Sequence, residues 1–230
     1  MTTRRPVLAL VAALVTAGLI ALGVWQLERR AWKLDLIARV DARIHAASAA
    51  FPWSGGAPQD LEYRRVRVTG IFDHARETLV QALTTRGAGF WVMTPLRTAD
   101  GTILVNRGFV PEDRRDPARR AAGQVAGATG VIGLIRLSEP GGGFLRNNDP
   151  AAGRWYSRDV GAIAATKGLG RVAPQFVDAD ATPNPGGYPI GGLTIVAFRN
   201  THLVYALTWF ALAALAAFGT WLLWLGGRRA

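Results

Sequence analysis

Two uncharged apolar runs, one near each end of the chain, constrain the fold more than any other feature of the sequence. They cover residues 7–27 and 203–225 of a chain of 230 residues. An α-helix rises about 1.5 Å per residue, so each run is long enough to cross a hydrocarbon core of about 30 Å. Because backbone polar groups in lipid must be satisfied within the segment, each run is expected to form a transmembrane helix.

The alternative for the first run is a cleaved signal peptide. A signal peptide has an apolar region of about 7–15 residues followed by a cleavage site of small residues. The run here is longer, and it continues into Trp25, Gln26 and Glu28 without such a site. This continuation favours an uncleaved membrane anchor.

Basic residues flank the two runs on their outer ends and predict the orientation. Arg4 and Arg5 precede the first run, and Arg228 and Arg229 follow the second. Positive flanks remain on the cytoplasmic side of a membrane. We therefore expect cytoplasmic tails at residues 1–6 and 226–230. Residues 28–200 should then form an outer domain, in a periplasm or an equivalent intermembrane space.

The charge and the lack of cysteine exclude several classes of function. The formal net charge is +11, which would suit nucleic acid, but most basic residues are expected across the membrane from any DNA. We therefore expect no nucleic-acid partner and favour contacts of arginine with anionic membrane lipid. The chain contains no cysteine, which excludes disulfides and thiolate-bound metal centres.

Residues 28–200 show the patterns of a leading helix followed by short strands. Residues 29–47 carry apolar side chains at three- and four-residue steps, which predicts an amphipathic continuation of the first helix. Alternation and turn residues predict strands, and a short helix is expected at 159–169. The predicted strands are 63–73, 77–83, two within 89–111 joined at Asp100-Gly101, 130–137, 174–180 and 193–198.

This pattern predicts an α+β membrane protein. Its two transmembrane helices flank a mainly antiparallel β-sheet outer domain, which is barrel- or sandwich-like. The sequence contains no H-E-x-x-H, G-x-S-x-G or Walker motif, and its three histidines share no metal-ligand spacing. We therefore expect a protein that is not an enzyme.

Four segments, in order along the chain, resemble the surfeit locus protein 1 family of cytochrome c oxidase assembly factors. They are LGVWQLERRAWKLDLI (22–37), TPLRTADGTILVNRGFVP (94–111), GLIRLSEPGGGFLRNNDPAAGRWYSRD (133–159) and GGLTIVAFRNTHLVYALTWFALA (191–213). The resemblance implies two spans around an outer domain, and a role in supplying haem a to oxidase subunit I. Haem A synthase is a further candidate partner.

The resemblance also implies that His202, at the start of the second span, binds haem a as an axial ligand of the iron. Physical chemistry agrees, because neutral imidazole is a good iron ligand and the apolar haem ring suits lipid. Further candidate haem-binding residues flank the same interface. They are Tyr205 and Trp209 at i+3 and i+7, with Trp25, Arg199 and Arg29.

Each of these residues also has an ordinary role at a membrane interface. The imidazole can bond to headgroups or cap the helix, the aromatic residues can form an interfacial belt, and the arginines can contact lipid. The alanines at 9, 13, 17 and 21, and at 213 and 217, are expected to let helices approach closely. VNRGF (105–109) is expected to be structural, with a docking surface as the alternative.

Two functions therefore remain open. The first is a carrier that holds haem a and passes it to subunit I, and the alternative is an assembly scaffold that binds no haem. A bacterial inner membrane is favoured over a mitochondrial one, because the segment before the first span is too short for an Arg- and Ser-rich transit peptide.

Overall fold

The computed structural model describes residues 4–54, 56–143 and 145–228. The chain divides into two units. One is formed by its two ends, up to Val40 and from Val196 onward, and the other comprises Asp41–Ile195. The first unit is helical, and the second contains the β-sheet.

The helices and strands follow one another along the chain in a simple order. The helices are α1 (Arg4–His45), α2 (Pro58–Leu61), α3 (Val160–Thr166) and α4 (His202–Arg228). The strands are β1 (Ala49–Ala50), β2 (Arg65–Phe72), β3 (Thr78–Thr84), β4 (Gly87–Arg97), β5 (Thr102–Pro111), β6 (Ala128–Leu137), β7 (Gly142–Gly143), β8 (Arg146–Asn147) and β9 (Val172–Ala179). Short 3-10 helices lie at His74–Arg76, Glu112–Arg114, Pro117–Gly123 and Pro185–Gly187.

Two of these helices are long and apolar enough to cross a membrane. The segments that meet this criterion are Pro6–His45 in α1 and His202–Leu222 in α4. Both predicted helical runs are thus confirmed as helices. The prediction that the first helix continues beyond the apolar run is also confirmed, because α1 is unbroken over 42 residues and ends at His45.

Within the helical unit, the less exposed positions of each helix recur at alternating steps of four and three residues. In α1 they include 12, 16, 19, 23 and 26, and in α4 they include 202, 206, 209, 213 and 216. This spacing is that of a coiled-coil seam. Gly23 is buried on it, and a Cβ there would meet the ring of Phe210, with Cδ1 at 2.7 Å.

The seam corrects the expectation about alanine spacing. The side chains of Ala9, Ala13, Ala17 and Ala21 are exposed, as is that of Ala217. A strict four-residue repeat drifts around a helix of 3.6 residues per turn, so it does not stay on one packing face. Ala213, in contrast, lies on the seam and is buried.

The sheet is mixed and closes into a barrel-like ring. Its strand order is β1-β2-β6-β9-β5-β4-β3, and an additional pairing of β2 with β4 joins the ring. The closing register pairs Ile71 with Arg97 and Phe72 with Leu96. Most pairings are antiparallel, as predicted, but β5 pairs with β9 in parallel and β1 with β2 in parallel.

Most of the predicted strands are confirmed as β2 to β6 and β9, and the predicted short helix is α3. The predicted closing strand at residues 193–198 is wrong. This segment has no secondary structure, and Ile195 exposes 71% of its surface. Gly192, at φ +71, precedes it, and the ring is already complete without another strand.

Strand β5 is buried on both faces and carries two polar residues to opposite sides of the sheet. Ile103 and Val105 belong to one apolar cluster, and Leu104 belongs to a second one. Asn106 and Arg107 continue this alternation, because successive side chains of a strand point to opposite faces. Both residues are buried. The strand therefore delivers an amide to one side and a guanidinium to the other.

Candidate functional site

His202 is the first residue of α4, and its imidazole faces α1. The ring atom Nδ1 lies 2.8 Å from Oε1 of Gln26. Gln26 stands three residues after Gly23, on the same seam of α1. The small residue at 23 admits the ring of Phe210, and this close approach of the helices is what lets the amide reach the imidazole.

The hydrogen bond to Gln26 sets the tautomer of His202. An amide oxygen can only accept a hydrogen bond, so Nδ1 carries the proton and donates it. In a neutral imidazole this leaves the lone pair on Nε2. A histidine whose second ring nitrogen donates to a fixed acceptor is the usual arrangement for a metal ligand. The residues present therefore fit a haem iron ligand at His202.

The aromatic residues predicted beside His202 lie partly outside the helix seam. Tyr205 exposes 54% of its surface and Trp25 exposes 52%, whereas Trp209 is half-buried. The positions of α4 that join His202 on the seam include Ala206, one turn further on. Tyr205 and Trp25 thus present their rings to the surroundings of the helix pair rather than to its interior.

The predicted arginines are differently placed. The guanidinium of Arg29 lies 4.1 Å from the ring centre of Trp32, a cation–π contact. Arg199 is exposed in the irregular segment before α4. In the same segment, Phe198 lies under the ammonium group of Lys33, with 5.2 Å between the nitrogen and the ring centre. Arg199 lies three residues before His202 and Arg29 three residues after Gln26, so cationic side chains adjoin the pair along the chain.

Gln26 is the residue that sequence analysis missed. It lies between Trp25 and Leu27, two residues before the first charged residue after the apolar run, Glu28. Its amide at the end of an apolar span was a signal, because polar groups at membrane depth are expected to have partners. The face of the helix on which it lies could not be read from that signal alone.

The sheet domain contains a second polar cluster, centred on Asp178 of β9. This carboxylate is 2% exposed and accepts hydrogen bonds from Asn106 Nδ2 at 2.8 Å, Arg158 Nη1 at 3.1 Å and Thr194 Oγ1 at 3.0 Å. Arg136 approaches it at 3.4 Å. The cluster joins β5, β6 and β9 to Arg158 before α3 and to Thr194 after β9. Its geometry therefore indicates a structural role.

Opposing charges in this cluster are matched. Burial lowers the pKa of Arg158, but the charge of Asp178 and the hydrogen bonds to Glu139 more than offset it, so the pKa lies above its ordinary value. Burial raises the pKa of Glu139, and Arg158 and Arg136 together bring it below its ordinary value. Among the residues that the structure describes, no group of three or more histidines and carboxylates is placed to hold a metal ion.

Two membrane-length helices, a barrel-like sheet domain and a histidine–glutamine pair on the helix seam define a class of membrane-anchored protein. Residues 13–214 match the SURF1 family, and the chain belongs to that family. It is 38% identical to surfeit locus protein 1 of Rattus norvegicus, over 89% of this chain and 71% of the relative. It is 37% identical to that of Homo sapiens, over 90% and 74%, and 41% identical to a SURF1-like protein of Monosiga brevicollis, over 87% and 80%.

Proposed function

We propose that this protein is an assembly factor for cytochrome c oxidase that holds haem a through His202 and aids its delivery to subunit I. Family membership supports the role in assembly. The observation that supports a haem site is the hydrogen bond from His202 Nδ1 to Gln26 Oε1 at 2.8 Å. In this proposal the protein is a carrier and performs no catalysis.

The residues around His202 have separate tasks in the proposal. His202 would hold the haem iron through Nε2, and Gln26 would fix the ring's orientation and tautomer. Trp25, Tyr205 and Trp209 would contact the ring and tail of the cargo. When bound, haem a supplies an apolar ring with an iron centre and two anionic propionates. Arg199 and Arg29 would pair with those propionates near the interface.

A visible absorption spectrum tests the haem proposal. The full chain is co-expressed with haem A synthase, purified in detergent, and its haem content per protein is measured. His202→Ala should lose the haem. His45→Ala is the matched control, because His45 is exposed on the last turn of α1 and should leave the haem content unchanged. Absence of haem from the wild-type protein, or equal haem in His202→Ala, would refute the proposal.

We further propose that both termini lie in the cytoplasm and that the sheet domain lies outside, across a bacterial inner membrane. Support comes from the arginines that flank the two apolar runs. Because the natural chain has no cysteine, a single cysteine can be placed at Arg86, an exposed residue of the β3–β4 turn. A membrane-impermeant thiol reagent should label it in intact spheroplasts. Labelling only after lysis would show that the sheet domain lies in the cytoplasm and would contradict the proposed topology.

A scaffold that binds no haem is the second candidate function. It is favoured by apolar side chains that the sheet domain leaves exposed, Leu83 at 85% and Leu145 at 89%. These side chains suit contacts with another protein. In this case oxidase subunits would co-purify with His202→Ala as well as with the wild type. A variant that carries both Leu83→Ser and Leu145→Ser should no longer co-purify with them.

A further inference from the structure

Arg107, in the centre of the VNRGF motif, is a buried cation to which none of the described residues offers a carboxylate within ion-pair distance. The residue is 2% exposed, on β5. Its Nη2 donates hydrogen bonds to the carbonyl oxygen of Gly123 and to Oδ1 of Asn184, the latter at 2.9 Å. Both acceptors are neutral. Its Cζ also lies 4.8 Å from the ring centre of Phe72.

The other terminal nitrogen of Arg107, Nη1, is buried and has no acceptor among the described residues. Glu77 is the carboxylate whose charge acts on Arg107, but both terminal nitrogens of Arg120 are hydrogen-bonded to it. Burial therefore dominates and lowers the pKa of Arg107 to about 10. Arg107, Arg120 and Glu77 together leave one positive charge uncompensated.

Arg107 lines a cavity of about 350 Å³ in the sheet domain, a volume that suits a small ligand. Arg67 lines the same cavity and adds a second cation. Asp180 is also in the wall, but its carboxylate is already paired with Arg65 at 3.2 Å. The same carboxylate accepts a hydrogen bond from the hydroxyl of Thr182. The remaining wall is largely apolar, with a few hydroxyl and amide groups, and includes Phe72, Val105, Val131, Ile132, Thr129 and Asn184.

We propose that this cavity binds a small organic anion, whose carboxylate or phosphate group accepts a hydrogen bond from Nη1 of Arg107. A planar guanidinium recognises both groups, and charge-assisted hydrogen bonds in a desolvated site are strong. The apolar wall suits the body of such a ligand, and the two arginines supply the charge that the anion matches. The site is within the sheet domain and is independent of haem at His202.

Thermal unfolding of the full chain in detergent tests the site with two probes. Benzoate supplies a carboxylate on an apolar body, and inorganic phosphate supplies the other anionic group. At constant ionic strength, at least one probe should raise Tm in a saturable manner, because a ligand that binds only the native state stabilises it. The probe that acts assigns the chemistry. No saturable shift with either probe would overturn the proposal.

Variants assign the binding to Arg107. Arg107→Gln should weaken binding roughly tenfold or more, since a charged hydrogen bond is lost. Arg86→Gln is the matched control, because Arg86 is an exposed arginine outside the cavity wall, and its affinity should equal that of the wild type. Equal affinity in Arg107→Gln and wild type would refute the assignment.

A second variant covers the case in which Arg107→Gln does not fold. Thr129 lines the cavity on β6, is half-buried, and lies on the same face of the strand as the buried Val131, two residues further on. Thr129→Leu therefore enlarges a side chain at the cavity wall, while Arg107 stays in place. It should reduce the affinity for the probe that binds the wild type. Unchanged affinity in a folded Thr129→Leu protein would contradict binding in this cavity.

Discussion

Gln26 and His202 are 176 residues apart in the chain, yet Oε1 of the first accepts a hydrogen bond from Nδ1 of the second at 2.8 Å. The pair joins the end of one apolar stretch to the beginning of the other. It holds the imidazole in a single tautomer and directs the lone pair to Nε2. The orientation of the imidazole is thus built into helix packing rather than into a loop.

Removing the acceptor should weaken haem retention. We expect Gln26→Leu to lower the affinity for haem a by roughly 10–100-fold, the usual effect of losing the hydrogen-bond partner of a metal-bound histidine. Haem content after purification and titration with haem a measure the change. Gln59→Leu, at an exposed amide of α2, is the control and should bind like the wild type. Equal retention in Gln26→Leu would show that the tautomer is fixed by other means.

Enlarging Gly23 should disrupt the helix seam. Gly23→Leu would place its side chain in the space of the Phe210 ring, and overpacking of this kind costs about 1–3 kcal/mol. Unfolding in mixed micelles of increasing SDS content measures the loss. Gly18→Leu is the control, because a Cβ at Gly18 meets no atom within 4 Å. Phe210→Ala should restore part of the stability of Gly23→Leu, and a purely additive loss would argue against their contact.

Neutralising the centre of the sheet-domain cluster should destabilise the protein strongly. Asp178→Asn removes the buried carboxylate that Arg158 and Arg136 share and leaves them only the more exposed carboxylates around them, and breaking a buried ion pair in this way costs about 3–5 kcal/mol. Thermal unfolding in detergent should show a large fall in Tm. The control is Asp113→Asn, whose carboxylate is 67% exposed and should change Tm little. Similar Tm values for the two variants would mean that Asp178 is not the charge that balances the arginines.

Glu139 should contribute stability at neutral pH that is lost in acid. Burial raises its pKa, but Arg158 and Arg136 outweigh burial, so the folded-state pKa lies below the unfolded value of about 4.3. A lowered carboxyl pKa stabilises the folded state above the unfolded pKa, and this is lost as pH falls through the folded pKa. We expect Glu139→Gln to be less stable than wild type at pH 7, with a gap in Tm that narrows below about pH 4.3. A gap that stays constant down to pH 3 would contradict this.

The helices and most strands could be predicted because their signals are local. An uncharged run of about 20 residues, or alternation beside Asp100-Gly101, is visible within one segment. Thr98 confirms that turn, since its backbone N–H and its hydroxyl both donate to the carbonyl oxygen of Gly101. The parallel pairing of β5 with β9 joins segments separated by β6 and α3, and no local pattern encodes it.

The two wrong predictions, the strand at residues 193–198 and the packing face of α1, also concern features that local patterns do not encode. Residues 193–198 alternate like a strand, but whether a neighbour is free to pair with them depends on the closure of the ring at Ile71 and Arg97. The alanine repeat in α1 was assigned to packing because small residues suit it, yet the seam follows heptad spacing through Gly23. His202 is a candidate that the sequence alone offers, whereas its partner Gln26 depends on the rotation of α1 about its axis, which only the structure supplies.

The closed ring of β2, β6, β9, β5 and β4 has a consequence for recognition. Another polypeptide cannot add a strand beside any of these five by backbone pairing, because each already has a neighbouring strand on both sides. The outer edge of β3 is also partly occupied, since the N–H of Gln81 donates to the carbonyl oxygen of Trp155. A protein that docks on the ring must therefore recognise it by side-chain shape and charge. Selectivity for one partner over another can then change by surface substitution without altering the hydrogen-bonded strands.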